Sequence, residues 1–219
     1  MKYLISNYNE FKEELGSLAK IKNRKRLLLH SCCAPCSSHV LMVLAHIFEI
    51  TILFDNPNIY PLEEYNKRYD ELVALVNKMN LNIEVVKVDY SHQRFLDAIK
   101  GVENLGEKSI RCFNCYKLRL KKTYEYAKEN YFDYFTTTLS ISPYKNSDWI
   151  NEIGYQLEDE DCHFLYSNYK KENGYQHSIA LSKEYDLYRQ DYCGCEFSKK
   201  EHEEKVTQKS LSQTPMHQA

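Results

Sequence analysis

The fold of this chain is decided by the stretch Leu27-Leu28-Leu29-His30-Ser31-Cys32-Cys33-Ala34-Pro35-Cys36. The apolar run 27–30 predicts a buried strand, and we expect a helix over 40–47 after the cysteine-rich segment. Cys32, Cys33 and Cys36 would then lie at the carboxyl end of a strand and beside the start of a helix. Ligands bind at the carboxyl ends of strands in open α/β sheets, and helix N-termini stabilise anions such as thiolates. The stretch therefore predicts a site for a soft metal ion.

The rest of the chain alternates between predicted strands and helices. We expect strands over 49–54, 83–88, 134–139 and 163–166, and helices over 1–23, 61–79, 95–100, 111–130, 148–157 and 176–188. This alternation predicts an α/β fold with a parallel sheet that carries helices on both faces. We expect residues 1–197 to form a single domain. Residues 198–219 are polar and lack periodicity, which predicts a mostly disordered tail.

Composition restricts the location and the partners of the protein. The net charge is −2, so a nucleic-acid partner requires a local basic patch. The sequence lacks the run of about 20 apolar residues that a membrane span needs, and it lacks the apolar segment of a signal peptide. We therefore expect a cytoplasmic protein with no membrane partner, whose thiols are mostly reduced.

The cysteines are clustered along the chain. Seven of the eight fall into three groups, which are Cys32, Cys33 and Cys36; Cys112 and Cys115; and Cys193 and Cys195. Reduced and clustered thiols are typical of metal ligands or catalytic groups rather than of a disulfide framework. Cys162 stands alone, and we expect it to be structural.

Cys112 and Cys115 form a C-x-x-C motif at the start of a predicted helix. This spacing serves zinc sites, iron–sulfur clusters and thioredoxin-like redox pairs. Together with Cys33 and either Cys32 or Cys36, the motif supplies four thiolates. Such a set suits tetrahedral zinc or a [4Fe–4S] cluster, and the spacing alone leaves both open.

The third group, Cys193-Gly194-Cys195, is a candidate redox pair. The glycine permits the backbone distortion that closing a disulfide between such near neighbours requires. A strained disulfide is readily reduced, which suits a redox-active pair better than a structural bridge. Metal ligation by both cysteines is the alternative.

Two further features are candidates for the site. Asp55 ends a predicted strand at the same sheet edge as the first cysteine group, so it is a candidate ligand or proton donor, or otherwise a turn cap. The predicted helix over 111–130 is rich in basic residues with interleaved tyrosines, which is typical of a surface for a phosphate backbone or of a solvated helix face. Its candidate RNA-binding residues are Arg111, Lys117, Arg119, Lys121 and Lys122.

Five motifs between residues 27 and 197 carry a resemblance to a known family. They are C-C-A-P-C, F-D-N-P-N-I-Y-P-x-x-E-Y, R-C-x-x-C-Y-x-x-R-L, T-T-L-x-I-S-P-Y-K-N and Y-x-L-Y-R-Q-x-Y-C-G-C. Their presence in this order resembles the cobalamin-independent epoxyqueuosine reductases. The resemblance implies a Rossmann-like sheet related to adenine-nucleotide α-hydrolase folds, without their ATP loop. It also implies the last step of queuosine synthesis, in which epoxyqueuosine at the wobble position of tRNA loses its epoxide oxygen.

The resemblance also implies roles for individual cysteines. It implies that Cys32, Cys33, Cys112 and Cys115 hold a [4Fe–4S] cluster and that Cys193 and Cys195 form the redox-active disulfide. Parts of the family carry Asp where Cys36 stands here, so we expect Cys36 to bind a second, mononuclear iron beside the cluster. The expected partners are the tRNA substrate and an electron donor of unknown identity.

The resulting hypothesis places the substrate between the cluster and the Cys193/Cys195 pair, with Asp55 or Tyr144 as proton donor. Two other functions compete with it. In one, the thiolates bind structural zinc and the basic helix binds RNA without catalysis. In the other, the C-x-x-C and C-G-C pairs act as a thiol oxidoreductase without a metal.

Overall fold

The structure is a computed structural model that describes residues 8–212, and the side chains of residues 8–208. Its core is a parallel sheet of five strands in the order β3-β2-β1-β4-β5. The strands are β1 Arg26–His30, β2 Glu49–Phe54, β3 Glu84–Lys87, β4 Tyr134–Thr137 and β5 His163–Phe164. The helices are α1 Tyr8–Leu18, α2 Ala34–Leu44, α3 Leu62–Lys78, α4 His92–Ala98, α5 Ile110–Glu129, α6 Ser147–Leu157, α7 Gly174–Glu184 and α8 Glu196–Ser212. A 3-10 helix, Thr138–Ile141, follows β4.

Helices cover both faces of the sheet, as the alternation of elements predicts. Leu27 and Leu29 of β1 pack in one apolar cluster with α1, α2 and α3, and Leu28 packs in another with α5 and α6. Successive side chains of a strand point to opposite faces, so one buried strand supplies both clusters. All three leucines are fully buried, and each contributes about 2 kcal/mol to the free energy of unfolding.

The central position of β1 brings three strand ends together. His30, the last residue of β1, is in register with Leu53 of β2 and Thr137 of β4. The segments that leave these strands begin with Ser31, Asp55 and Thr138, and they therefore meet at the carboxyl end of the sheet. This is the end at which open parallel sheets bind ligands.

Helix α2 begins earlier than the sequence pattern predicts. It starts at Ala34 rather than at residue 40, with Cys33 as the N-cap and Pro35 in the first turn. Proline suits this position because its fixed φ is helical and its missing N–H has no partner there in any case. The cysteine-rich stretch is therefore itself the start of the helix.

The prediction of a disordered tail from residue 198 is wrong over residues 198–212. Helix α8 runs from Glu196 to Ser212 and crosses the predicted domain boundary, and residues 213–219 lie outside the described part. An ion pair and a hydrogen bond hold α8 to the body of the protein, because Glu201 contacts Arg111 at 2.8 Å and Glu196 contacts His92 at 3.0 Å. A polar helix of this kind has no apolar periodicity to reveal it.

The other helices and strands lie close to their predicted positions. The N-terminal helix is present over Tyr8–Leu18 with Phe11, Leu15 and Leu18 buried, while residues 1–7 of the predicted range lie outside the described residues. The helix predicted over 176–188 ends at Glu184 and is not the last one. Within residues 8–212, none of the helices has both the length and the apolarity needed to cross a membrane.

Candidate metal centre and redox cavity

The first cysteine group is a compact set of soft donors. The Sγ atoms of Cys32, Cys33 and Cys36 all lie within 4.8 Å of one another, and those of Cys32 and Cys33 are 3.7 Å apart. The group occupies the turn from β1 into α2, so the helix N-terminus favours negative charge on the sulfurs. Thr138, the first residue after β4, places its Oγ1 3.7 Å from the Cys32 Sγ. Three thiols at this spacing form a group that can ligate a soft metal ion.

The three thiols do not share negative charge equally. The pKa of Cys32 lies well below its usual range because the Cys33 and Cys36 thiols donate hydrogen bonds to its sulfur. The same hydrogen bonds to Cys32 raise the pKa of Cys33 and of Cys36. One of the three therefore ionises readily by itself, and ionisation of the other two requires a further cation, such as a bound metal ion.

The second group stands at the start of α5. Ser109 is the N-cap, and its side chain accepts a hydrogen bond from the backbone N–H of Arg111. Half-buried Cys112 packs against the apolar cluster that contains Cys32 and Cys33, whereas Cys115 belongs to a different cluster together with Cys195. The C-x-x-C motif thus connects the first cysteine group to the third.

The third group is held by an unusual backbone at Gly194. This glycine has a φ of +122°, and a Cβ on it would lie 2.9 Å from the Arg68 Nη1. Both the conformation and the close approach require glycine here. Cys193 and Cys195 are free thiols in the structure, and Cys195 accepts a hydrogen bond at its Sγ from the backbone N–H of Ser198.

A single cavity of about 320 Å³ joins the three groups. Among its lining residues are four cysteines, which are Cys32, Cys36, Cys112 and Cys193. The structure thus brings together thiols that are about 160 residues apart in the sequence, whereas Cys33, Cys115 and Cys195 are buried and are not among the described lining residues.

Two buried arginines and one half-buried lysine lie near the thiols. Arg68 and Arg119 are 2% and 1% exposed, and the Nη2 atom of each has no hydrogen-bond partner among the described residues. Burial lowers the pKa of Lys145, but Coulombic interaction with Cys193 and Cys32 outweighs it and raises the pKa above the ordinary value. Buried donors without a partner are costly unless they face an anion. These residues therefore fit a site that carries negative charge, as cysteine-ligated metal centres do.

Asp55 does not belong to the cavity. Its carboxylate is 2% exposed and forms a two-point ion pair with Arg94, with contacts of 2.8 and 3.0 Å. It is not among the described residues that line the cavity. The prediction of Asp55 as a ligand or proton donor is therefore wrong, because both of its oxygens are already held by a guanidinium.

The predicted RNA-binding set on α5 is split by burial. Arg111 is 3% exposed and pairs with Glu201, and Arg119 is 1% exposed and donates to the Cys115 carbonyl oxygen at 3.2 Å. These two arginines cannot contact an RNA backbone from inside the protein, so this part of the prediction is wrong. Lys117 and Lys121 are exposed and Lys122 is half-buried, and none of the three lines the cavity.

Several cavity residues escape sequence reasoning. Lys145 lies in the loop that joins the 3-10 helix to α6, next to Tyr144, which the sequence does single out. Arg68 lies on α3, where its only local signal is a partner four residues earlier, Glu64. Neither is near a cysteine in the sequence, so only the fold reveals that they face the thiols.

Comparison with known proteins gives one consistent family. A family model described as epoxyqueuosine reductase QueH matches residues 27–201. Relatives named epoxyqueuosine reductase QueH include one from Streptococcus pyogenes, 36% identical over 200 residues that cover 89% of this chain and 78% of the relative. Another, from Haemophilus influenzae, is 42% identical over 176 residues, or 79% of this chain and 71% of the relative. A third, from Thermotoga maritima, is 37% identical over 181 residues, or 82% and 93%.

A solved structure of the U34-tRNA thiolase NcsA from Methanococcus maripaludis, with its [4Fe-4S] cluster, also aligns with this chain. It has a TM-score of 0.48 and 12% identity, and the alignment covers 94% of this chain and 75% of the thiolase. A likeness at this level does not bear on cofactor or activity. The family model matches residues 27–201, and the three relatives are 36% to 42% identical over most of this chain. This chain belongs to the epoxyqueuosine reductase QueH family.

Proposed function

We propose that this chain is an iron–sulfur-dependent oxidoreductase that converts epoxyqueuosine to queuosine at the wobble position of tRNA. The observation that carries the proposal is the shared cavity, into which Cys32, Cys36, Cys112 and Cys193 all open. A nucleoside in that cavity would contact the candidate metal ligands on one side and the candidate redox pair on the other. Family membership supports the same reaction.

The donor set fits an iron–sulfur cofactor. Cys32, Cys33, Cys112 and Cys115 are the proposed ligands of a [4Fe–4S] cluster, and Cys36 is the proposed ligand of a second iron. Four thiolates carry more negative charge than their burial would otherwise permit, and the buried Nη2 atoms of Arg68 and Arg119, which have no hydrogen-bond partner among the described residues, are suited to face that charge. A cluster bound there supplies electrons one at a time.

Oxidation of the Cys193/Cys195 pair would provide the two electrons that the reaction consumes. Removal of the epoxide oxygen as water, with formation of a carbon–carbon double bond, consumes two electrons and two protons. Two thiols that form a disulfide release two electrons and two protons, so their oxidation balances one turnover. An electron donor, whose identity stays open, then reduces the disulfide and restores both thiols.

Lys145 is the proposed electrophilic group of the reaction. It lines the cavity, and its ammonium group is charged because its pKa lies above the ordinary value. A fixed positive charge in a half-buried cavity stabilises the negative charge that develops on the epoxide oxygen as a carbon–oxygen bond breaks. Tyr144 is 64% exposed at the opening of the same cavity, which favours contact with substrate over proton transfer inside it.

The test is anaerobic assay of tRNA nucleosides with cysteine variants. We expect the wild-type protein to convert epoxyqueuosine to queuosine, and Cys193→Ser and Cys195→Ser to retain iron but lose turnover. Cys162→Ala is the matched control, because Cys162 is buried between α6 and β5 and does not line the cavity. Full activity of Cys193→Ser would exclude the redox pair, and an unchanged nucleoside with the wild-type protein would exclude the function.

A further inference from the structure

The opening of the cavity has the composition of a surface that binds single-stranded nucleic acid. We define the cavity rim as six lining residues from five segments of the chain: Lys108, Tyr144, Tyr175, Arg189, Tyr192 and Lys205. Three are cationic and three are tyrosines. Proteins hold single strands with this combination, since cations follow the phosphates and aromatic rings stack on the bases.

The tyrosines of the rim are accessible. Tyr144 is 64% exposed, and the Lys108 Nζ lies 5.7 Å from the centre of its ring. Tyr175 and Tyr192 are half-buried at other points of the opening. Each ring is thus held by the protein while part of it remains free to contact a ligand.

The charge of the rim is positive once internal ion pairs are counted. Lys108, Arg189 and Lys205 are exposed. Three acidic side chains also line the cavity, and one of them, Glu201, is paired with buried Arg111. The three exposed cations therefore outnumber the other two acidic residues of the described lining, Glu107 and Asp191.

The size of the cavity explains why a nucleic-acid chain must remain at the rim. A volume of about 320 Å³ is at the lower end of the range for small-molecule sites, which is enough for one nucleoside but not for its neighbours. A nucleotide that reaches the thiols must therefore leave its stack, as in other enzymes that act on a base. Its flanking phosphates and bases then lie against the rim.

We propose that the cavity rim binds the anticodon loop of the tRNA, and that the outer face of α5 does not. This inference rests on the proposed function and specifies where its substrate docks. The α5 lysines are less suited, because Lys117, Lys121 and Lys122 do not line the cavity and the Lys121 Nζ lies 3.8 Å from a Glu125 carboxylate oxygen. An RNA bound to these lysines would lack contacts around the cavity opening that position its nucleotide in front of the cavity.

The test compares two charge reversals of equal size. One variant carries Lys108→Glu and Lys205→Glu on the rim, and its control carries Lys117→Glu and Lys121→Glu on α5. Binding of a fluorescently labelled anticodon stem-loop RNA is measured between about 50 and 200 mM salt. We expect the rim variant to lose at least about tenfold in affinity and to show a salt slope smaller by about 2, with the α5 variant within about twofold of the wild type. Tyr144→Ala should also weaken binding, fivefold or more, because stacking of a base on an aromatic side chain contributes about 1–3 kcal/mol in proteins that bind single strands.

Equal losses in both charge variants, or a loss confined to the α5 variant, would overturn the inference. A circular dichroism spectrum and an unfolding temperature that match the wild type establish that each variant is folded, whatever metal the protein binds. Failure of the proposed function is separate, because the stem-loop can bind at the rim even if the wild-type protein leaves epoxyqueuosine unchanged.

Discussion

The guanidinium of Arg68 donates a hydrogen bond from Nη1 to the carbonyl oxygen of Cys193 at 3.3 Å. Its Nε also donates to Glu64 at 2.6 Å, one turn earlier on α3. Gly194 permits this contact, because a side chain there would displace the guanidinium. Arg68 therefore connects α3, a helix that packs on the sheet, to the segment that carries the candidate redox pair.

We predict that Arg68→Lys lowers kcat about tenfold without changing affinity for RNA. Lysine keeps the positive charge, but its one nitrogen cannot occupy both positions from which the Nε and Nη1 of Arg68 donate to Glu64 and Cys193. A hydrogen bond from a charged group contributes about 1.5–3 kcal/mol. The measurement is single-turnover reduction of epoxyqueuosine by the pre-reduced protein, together with stem-loop binding. Lys67→Arg, on the neighbouring position of α3, is the control. A loss of RNA affinity equal to the loss of kcat would contradict this role.

Much of the fold follows from local sequence patterns. The apolar run before Cys32 and the run 49–54 are visible as strands because each is fully or nearly buried in a parallel sheet, and β2 Glu49–Phe54 has the predicted bounds. Helix α8 is not predictable in this way. It is polar on all sides and depends on tertiary ion pairs such as that between Glu201 and Arg111. An apolar periodicity reveals a helix only where one face of the helix is buried, and most described side chains of α8 are exposed or half-buried.

We predict that Cys112→Ser lowers iron content and activity together. The proposed cluster needs four thiolates, and a serine hydroxyl is a poor ligand for iron in such a set. Iron and acid-labile sulfide are quantified after anaerobic purification, with Cys162→Ser as the control that should keep both. A colourless wild-type protein with zinc and no iron would instead support the zinc-binding alternative.

We predict that Lys145→Met lowers kcat by about 100-fold while iron content stays unchanged. Loss of one preorganised electrostatic group at a developing oxyanion costs about 100- to 1000-fold in comparable enzymes. Lys145→Arg should recover part of the activity because it keeps the charge in the cavity. Lys171→Met, an exposed lysine outside the cavity lining, is the matched control. Activity of Lys145→Met within threefold of the wild type would remove Lys145 from the reaction.

The site is only partly predictable for a similar physical reason. Cysteine spacing reveals the three thiol groups, since clustered cysteines are conspicuous wherever they fold. The cationic residues near these thiols could not be predicted, because they lie in three separate segments and resemble surface residues in the sequence. They are Arg68, Arg119 and Lys145. The basic pattern of α5 predicts that Arg119 faces RNA, yet its side chain is buried and donates to the Cys115 carbonyl oxygen. Asp55 resembles a site residue because its partner, Arg94, is 39 residues away.

We predict that His30 makes the protein less stable as pH falls below 6.5. Burial, and then the charge of Arg119, lower the pKa of His30 to about 4 from an ordinary value of 6.5. Between these values the unfolded chain binds a proton that the folded chain does not, so the free energy of unfolding falls as pH falls. The loss between pH 6.5 and about pH 5.5 is about 1 kcal/mol. Denaturant titrations at several pH values give the free energy of unfolding of the wild type and of His30→Gln. This free energy should fall more steeply with decreasing pH in the wild type, and equal dependence on pH in both proteins would show that His30 is not responsible.

We predict that Gly154→Ala destabilises the protein by about 2–3 kcal/mol. Gly154 lies on α6, and a Cβ there would overlap the ring of Phe164, which is 1% exposed on β5 and cannot move without disturbing the core. Gly16→Ala is the matched control, since Gly16 lies inside α1, a Cβ there would have nothing within 4 Å, and helix propensity favours alanine by about 1 kcal/mol. The two substitutions add the same methyl group to a helix, so opposite signs in denaturant unfolding isolate the contact with Phe164. A destabilisation of equal size in both variants would contradict this packing of α6 on the sheet edge.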